Sequence, residues 1–248
     1  MDLVEALAVD GLVCVVGAGG KKTTLYTLAD RLDRAVVTAT TRIPAFPEAV
    51  GRLVETDDPV AAVRGAGDTP DEWPLGLAPG WADDVRYEGY DARTVADVAR
   101  VAADRGVDAT LVKADGARSR WLKAPADHEP VVPTTVDTVV PIASARVVGE
   151  PLDEEHVHRP ERVAAVTGRE VGATLTTDDV AAVLASPDGG LRNVPDDAMV
   201  VALVNMVDDD ALRATAEEIA AGVLARSDRV DRVVSARMDE ARVVATFE

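Results

Sequence analysis

Near its N-terminus the sequence passes from an apolar segment into a glycine-rich loop and then into a helical pattern. LVCVV (12–16) is short, rich in β-branched residues and bounded by glycine, which predicts a buried strand. The loop GAGG (17–20) follows, and after it Leu25, Leu28 and Leu32 recur at helical spacing. A strand that leads through a tight loop into a helix is typical of folds built on parallel strands.

The same alternation continues along the chain. We predict further strands at 35–40, 108–114, 136–143, 198–204, 230–236 and 241–247, long helices at 93–106 and 209–225, and short helices at 153–166 and 176–186. This pattern indicates an α/β fold, a doubly wound and mostly parallel sheet of the P-loop NTPase type with a small appended helical region. Ligands bind such sheets at the carboxyl ends of the strands, where the motifs below fall.

The predicted domain organisation has three parts. Residues 1–149 form the nucleotide-binding core, 150–196 a helical subdomain, and 197–248 a strand–helix–strand that returns to the core. Residues 43–90, rich in proline and containing Trp73 and Trp81, are an insertion in the core or a set of edge strands.

Composition excludes several classes of protein. The net charge of −18 opposes binding to nucleic acid or to anionic lipid, which both need a basic face. No apolar run reaches the roughly 20 residues that span a bilayer, and the acidic start lacks the order of a signal peptide. Cys14 is the only cysteine, so an internal disulfide is impossible. A cytoplasmic protein with no nucleic-acid or membrane partner is predicted.

Lysine is scarce in this chain. Of the 26 basic residues only Lys21, Lys22, Lys113 and Lys123 are lysines. Abundant Asp with few Lys is typical of halophilic archaeal proteins, and a GC-rich genome that favours Arg codons is the alternative cause of the lysine scarcity. Because the four lysines fall in only two motifs, they indicate an anion-handling site.

The first motif predicts a phosphate loop. Glycine amides can turn inward on a phosphate, and the helix start adds about half a positive charge. Lys21 or Lys22 would contact the terminal phosphates, and Thr23 would bind Mg²⁺. The predicted cofactor-binding residues are Gly17, Ala18, Gly19, Gly20, Lys21, Lys22, Thr23 and Thr24.

The match to G-x-x-x-x-G-K-[ST] is imperfect, because the residue after Lys21 is Lys22; the spacing is nearer to a shortened G-x-x-G-K-x-T loop. Two alternatives remain open. A dinucleotide loop would need a small residue at Lys22 and an acidic residue at the end of the second strand. A purely structural turn would not need adjacent lysines.

The second motif spans 111–133 and contains Asp115, Arg118, Lys123, His128 and Glu129. An Asp at the end of an apolar strand is where P-loop proteins hold Mg²⁺, so Asp115 is the second predicted metal ligand beside Thr23. Arg118 and Lys123 would bind a second, anionic substrate or stabilise transition-state charge. His128 or Glu129 would act as acid or base. With Lys21 and Lys22 these five residues are the candidate catalytic set, and a solvated polar loop is the alternative.

Further candidates end other strands. The hydroxyls of Thr40 and Thr41 could meet Mg²⁺ or the γ-phosphate. Asn205 and Asp208 are spaced like the guanine-reading residues of GTPases, although both types of residue also cap helices. His156 and His158 suit a metal pair only on a strand, and a helix is predicted there.

The segments GAGGKKTT, TATTRI, KADGARSRWLKAPADHEPVVP, VHRPERV and NMVD together resemble the YqeC family of selenium-dependent hydroxylase accessory proteins. The resemblance runs from Val15 to about Asp208. Family members more often have Thr at Lys22 and Glu at Lys113, which moves the magnesium hydroxyl to Thr23 and removes a carboxylate. The family is associated with maturation of molybdenum hydroxylases.

We therefore expect a protein that binds Mg²⁺ and ATP or GTP. Its nucleotide turnover, as an NTPase or a phosphoryl or nucleotidyl transferase, would serve hydroxylase maturation. An anionic or molybdenum-cofactor-related substrate and a hydroxylase client are the partners that this role implies. The alternative is a nucleotide-gated switch or cofactor-delivery chaperone with little catalysis of its own.

Overall fold

A computed structural model describes residues 1–248, except for the side chain of Pro47. The described residues form seven α-helices: α1 (Leu3–Ala6), α2 (Lys21–Ala29), α3 (Pro59–Gly65), α4 (Ala92–Asp104), α5 (Pro160–Thr167), α6 (Thr177–Leu184) and α7 (Asp210–Arg226). The strands are β1 (Gly11–Gly17), β2 (Ala35–Ala39), β3 (Ile43–Pro44), β4 (Arg52–Glu55), β5 (Leu75–Ala78), β6 (Trp81–Asp83), β7 (Arg86–Tyr87), β8 (Ala109–Lys113), β9 (Leu122–Lys123), β10 (Thr138–Ser144), β11 (Val157–His158), β12 (Met199–Asn205), β13 (Arg232–Arg237) and β14 (Arg242–Phe247).

Nine of these strands form one sheet in the order β14-β13-β12-β10-β1-β8-β2-β5-β4. Every neighbouring pair is parallel except β13 and β14, which are antiparallel. The predicted α/β class with a mostly parallel sheet is confirmed. Strand β1 lies between β8 and β10, so the segments that follow these three strands meet at one edge of the sheet.

Both faces of the sheet are covered. Along β1, Val13 and Val15 pack in one cluster with Leu25 of α2, while Leu12 and Cys14 pack in another with residues of α4. Such alternation in a strand buried on both sides explains why the run 12–16 reads as continuously apolar. The core is built mainly from Val, Leu and Ala, as expected for a chain with 3% aromatic residues.

Residues 43–90 contribute to the structure in two ways. Strands β5 and β4 extend the large sheet beyond β2, and β3, β7 and β6 form a separate three-stranded antiparallel sheet. The edge-strand alternative given for this segment therefore describes β4 and β5, but strands of two to four residues carry too little periodicity for sequence analysis to assign their bounds.

The segment 150–196 differs from the prediction at its start. The predicted helix at 153–166 begins only at Pro160, because residues 157–158 form β11, which pairs with β9. Helix α6 packs on α7, and both share a cluster of buried side chains with β12. The domain boundaries at 149 and 196 stay predictions.

Among the described residues, we find no helix with the length and apolar character that crossing a membrane requires.

Candidate functional site

The glycine loop (17–20) joins β1 to α2 and needs glycine for its shape. Gly17, Gly19 and Gly20 have φ of +85°, +102° and +118°, a region that other residues enter at a cost. A Cβ at Gly17 or Gly19 would also lie 2.4–2.5 Å from backbone atoms of β10. The loop is therefore held against the neighbouring strand by backbone contacts that only glycine permits.

Three amides of this loop donate to the protein itself. Those of Gly17, Ala18 and Gly19 donate to Asp115 Oδ2, Ile142 O and Arg120 O, each at 2.9 Å. The amides of residues 21–23 lie in the first turn of α2, where backbone N–H groups have no acceptor within the helix. Because Gly20 caps the helix without a side chain, these first-turn amides have no acceptor among the described residues.

Behind the loop lies a buried ion pair. The Lys21 ammonium donates to the Gly17 carbonyl and lies 2.9 Å from Asp115 Oδ1. The other oxygen of Asp115 lies 2.8 Å from Lys123 Nζ, and all three side chains are buried. Burial by itself would raise the pKa of Asp115, but the two ammonium groups outweigh it and hold that pKa below its usual value.

The ion pairs continue away from the loop. Lys123 Nζ lies 2.8 Å from Glu129 Oε2, and Arg159 Nη1 lies 2.7 Å from the same oxygen. Burial opposes ionisation of Glu129, yet Lys123 and Arg159 lower its pKa to about 2. Together Lys21, Asp115, Lys123, Glu129 and Arg159 form a buried ion chain with three cations and two carboxylates. Glu129 is ionised at neutral pH, so it accepts hydrogen bonds and does not donate a proton.

A cleft of about 660 Å³ opens above the start of α2, at the carboxyl edge of the sheet. Its charged lining is almost entirely basic, with Glu129 as the carboxylate and eight cations: Lys21, Lys22, Arg42, Arg86, Lys113, Arg118, Arg120 and Arg159. Among the described residues, no carboxylate lies within 4 Å of the charged nitrogens of Lys22, Lys113, Arg118 or Arg120. In a chain with 44 acidic residues, such a cleft is specifically complementary to an anion.

Lys113, at the end of β8, is the most buried of these unpaired cations. Its ammonium donates to Thr41 Oγ1 at 3.0 Å and to the Arg42 carbonyl at 2.7 Å, and both acceptors are neutral. Burial and the nearby Lys21 charge lower the pKa of Lys113 to about 7.

The predicted hydroxyl residues occupy different environments. Thr23 is exposed and lines the cleft, as Thr41 does. The Thr24 hydroxyl donates to the Gly20 carbonyl inside the helix, and that of Thr40 donates to the Val131 carbonyl. Thr24 and Thr40 are buried and lie outside the cleft lining.

The cleft has an unusual backbone at four of its lining residues. Arg118, Ser119, Arg159 and Met206 all line it with φ between +47° and +63°. Non-glycine residues rarely adopt this region, and they cluster at functional sites when they do. Arg118 and His128 line the cleft and are exposed, and their contact with a substrate stays a prediction.

The two histidines of the predicted helix are on and beside a strand instead. His158 belongs to β11 and lines the cleft, whereas His156 contacts Asp153 and packs against Trp121. Burial and the cations Arg159 and Lys123 lower the pKa of His158 to about 4. The helical prediction for this pair was wrong because the short β9–β11 pairing depends on contacts distant in sequence.

The predicted guanine-reading residues are engaged within the protein. Asn205 is buried; its Nδ2 donates to the Gly19 carbonyl at 2.8 Å and its Oδ1 accepts from the Met238 amide at 3.1 Å. Asp208 pairs with Arg146 and Arg237, and it does not line the cleft. Asn205 thus ties the glycine loop to the chain after β13.

The arrangement around Thr23 and Asp115 fits Mg²⁺ only in part. No group of three or more His, Cys, Asp or Glu among the described residues is placed to hold a metal ion. The Thr23 hydroxyl faces the cleft, but both Asp115 oxygens are engaged by ammonium groups. A metal bound directly to Asp115 would have to displace one of them, and the role of Asp115 as a ligand stays a prediction.

The positions of three basic residues were not anticipated from sequence. Lys123 was expected to reach a substrate, yet its side chain is fully buried behind the cleft. Lys113 and Arg120 had no assigned role, although both face the cleft. The signal for Lys113 was its membership of the four scarce lysines; Arg120 is one of 22 arginines and carried no such signal.

Comparison with known proteins places most of this site in a recognised family. The model of the YqeC protein family matches residues 13–161. An uncharacterized YqeC protein of Escherichia coli (strain K12) is 30% identical over 200 residues, which cover 78% of this chain and 75% of that protein. Apart from Met206, the cleft-lining residues fall within the family match.

Proposed function

This chain belongs to the YqeC family, and from that premise we propose that it binds a nucleoside triphosphate together with Mg²⁺ in the basic cleft. The observation that carries the proposal is the pair of unpaired cations Lys22 and Arg120 beside the start of α2, in a chain of net charge −18. A phosphate chain that lies between these cations gains charge-assisted hydrogen bonds without displacing a carboxylate.

The phosphates would bind at the first turn of α2. Three amides there have no acceptor within the helix, and the helix dipole contributes about half a positive charge. Lys22 and the amides of 21–23 would receive the terminal phosphates. The glycine loop shapes this turn, while the amides of Gly17, Ala18 and Gly19 hold the loop to its neighbours.

Lys21 would move from Asp115 onto the phosphate chain when the nucleotide binds. Asp115 would keep Lys123 as its cation, so the carboxylate would not be left buried and unpaired. This arrangement supports a role for Lys123 inside the protein and not on the substrate.

Mg²⁺ would be held by the Thr23 hydroxyl and by the phosphates, with water completing its coordination. The ion would neutralise phosphate charge during phosphoryl transfer. Arg118, at the cleft mouth, would stabilise charge that develops in the transition state, and His128 would be the proton acceptor or donor.

For the biological role, we propose nucleotide turnover in the maturation of molybdenum hydroxylases, the association that the family resemblance implies. A second candidate is a nucleotide-gated switch. Asn205 favours it, because one buried side chain joins the glycine loop to the turn at Met238 and would transmit a loop movement to the C-terminal strands.

Thermal stability with added ligand tests the binding step. Mg²⁺ with ATP or GTP, at a hundred times its dissociation constant, should add about 2.7 kcal/mol to the free energy of unfolding. The Lys21→Ala, Lys22→Ala double variant should lose this gain. Arg64→Ala with Arg213→Ala, which removes two exposed cations away from the cleft, is the matched control and should keep it. Absence of stabilisation of the unmodified protein by either nucleotide would refute the proposal.

Phosphate release then separates the two candidate roles. An enzyme should release phosphate faster with a suitable anionic substrate, whereas a switch should bind the nucleotide with little release. Arg118→Met should slow release in the first case and leave binding in both cases nearly unchanged.

A further inference from the structure

The basic cleft has the glycine loop at one end and the segment after β2 at the other, where the Lys113 ammonium donates to Thr41 and to the Arg42 carbonyl; we call this second end the Lys113 end. The strand order β1-β8-β2 places Thr41, after β2, two strands from Gly17, which ends β1. At a strand spacing of about 4.8 Å, the two ends are about 10 Å apart. A phosphate at the start of α2 would therefore leave the Lys113 end open to a different group.

The Lys113 end presents several donors to the cleft. An ammonium has three N–H donors, and Lys113 uses two of them on Thr41 Oγ1 and the Arg42 carbonyl. Thr41 accepts from Lys113 through its oxygen, so its own O–H is left to donate. The Arg42 guanidinium lines the same wall, with Glu88 as a partner at 3.3 Å.

This end is also preorganised. The Thr41 backbone packs closely on Gly89, where a Cβ would lie 2.4 Å from the Thr41 nitrogen. The amide of Tyr90 donates to the Ala39 carbonyl and fixes the same segment to β2. The donors of Lys113 and Thr41 are thus held in place before any ligand arrives, which lowers the entropy cost of binding.

We propose that Lys113, Thr41 and Arg42 bind the oxyanion group, a carboxylate or a phosphate, of a second substrate that lies beside the nucleotide. Burying an ammonium whose hydrogen-bond partners are neutral opposes folding, and among the described residues no carboxylate lies within 4 Å of the Lys113 ammonium. An oxyanion that accepts from the third N–H of Lys113 and from Thr41 supplies that missing charge. The inference depends on the proposed function in one respect: it assigns the other end of the cleft to the nucleotide.

Inorganic phosphate and acetate are the probes for this site, used at constant ionic strength. The full chain is first saturated with Mg²⁺ and a non-hydrolysable triphosphate analogue of ATP or GTP, and each probe is then titrated while thermal stability is followed. At least one probe should give a second, saturable stabilisation. In Lys113→Met its affinity should fall by about tenfold or more, as loss of a charge-assisted hydrogen bond predicts. The nucleotide affinity of the variant should stay within about twofold of the unmodified protein.

Two further variants keep the test decisive. Thr41→Val removes one donor at nearly constant volume and should also lower the affinity of the probe. It tests the site independently if Lys113→Met does not fold. Arg64→Met removes an exposed cation of α3 and should leave both affinities unchanged.

The outcomes distinguish this inference from the proposed function. Nucleotide binding without a second stabilisation, or with one that Lys113→Met and Thr41→Val do not weaken, overturns the second site alone. If phosphate binds with a diphosphate nucleotide but not with the triphosphate analogue, Lys113 contacts the γ-phosphate and the inference is wrong. Failure of the nucleotide to bind, with probe binding that depends on Lys113, overturns the proposed function and supports the anion site.

Discussion

The Lys21 ammonium lies 2.9 Å from the Asp115 carboxylate, and the side chains of both residues are almost completely buried. The lysine that sequence analysis assigned to phosphate and the carboxylate that it assigned to metal are thus partners of each other. Asp115 also holds Lys123 and the Gly17 amide. The pair therefore couples the glycine loop to the ion chain behind the cleft. Some substitutions there should change the stability of the fold, and others should change nucleotide binding.

Two Lys→Met substitutions should affect different properties, one the stability of the fold and the other nucleotide binding. Lys123→Met removes a cation shared by Asp115 and Glu129, and loss of one partner from a buried ion pair costs about 3–5 kcal/mol of unfolding free energy. Lys22→Met removes an exposed, unpaired cation, so its stability should change by less than about 0.5 kcal/mol, while nucleotide affinity falls. Urea unfolding and nucleotide titration of both variants measure the two effects. Equal stability losses would contradict the assigned positions.

Glu129 should stabilise the folded protein at neutral pH, and this contribution should be lost in acid. Its pKa is lowered from 4.5 to about 2 in the folded protein, so the unfolded chain binds its proton first as the pH falls. Its contribution, on the order of 3 kcal/mol, is complete above about pH 4.5 and is lost as the pH falls towards 2. Unfolding free energies measured between pH 2 and 6 should show a shallower slope in Glu129→Gln. A slope identical to that of the unmodified protein would rule out this role.

Unlike Glu129, which stabilises the folded protein, Lys113 should destabilise the folded protein when no ligand is bound. Its pKa falls from 10.5 to about 7 on folding, so stability rises as the pH increases from 7 to 10.5, where the folded group has lost its proton and the unfolded group has not. Lys113→Met removes the buried charge and should be more stable, with the largest gain below pH 7. Chemical unfolding at pH 6, 8 and 10 tests this, and a gain that does not depend on pH would contradict it.

Substitution of Asn205 should lower the affinities for ATP and GTP equally. Asn205→Ala removes two buried hydrogen bonds, to the Gly19 carbonyl and from the Met238 amide, and should cost about 1–3 kcal/mol of stability. Because the loop that it holds serves the phosphates, affinities for ATP and GTP should fall by the same factor. Asp208→Asn, in a residue paired with Arg146 and Arg237, should leave the ratio of the two affinities unchanged. A selective loss of GTP binding would restore the guanine-reading role.

Much of the fold could be predicted from local patterns. β1, α2, β8, α4, β12 and α7 were expected within a few residues of their observed bounds, because each has a long apolar or amphipathic run. For 43–90 edge strands were one of two alternatives, without bounds, and the β9–β11 pair was not predicted; these strands are two to four residues long and are stabilised by partners far along the chain.

Sequence analysis alone identified the two segments that contribute most to the cleft. The loop at 17–20, the four lysines and the 111–133 motif all contribute to one cleft or to the ion chain behind it. The position and the partners of each side chain depend on the fold. Parallel strands in the order β10-β1-β8-β2 bring segments about 100 residues apart to one edge of the sheet. Lys113 and Lys123 are both buried, but only Lys123 lies beside carboxylates, because an ion pair in the interior depends on geometry that local sequence does not contain.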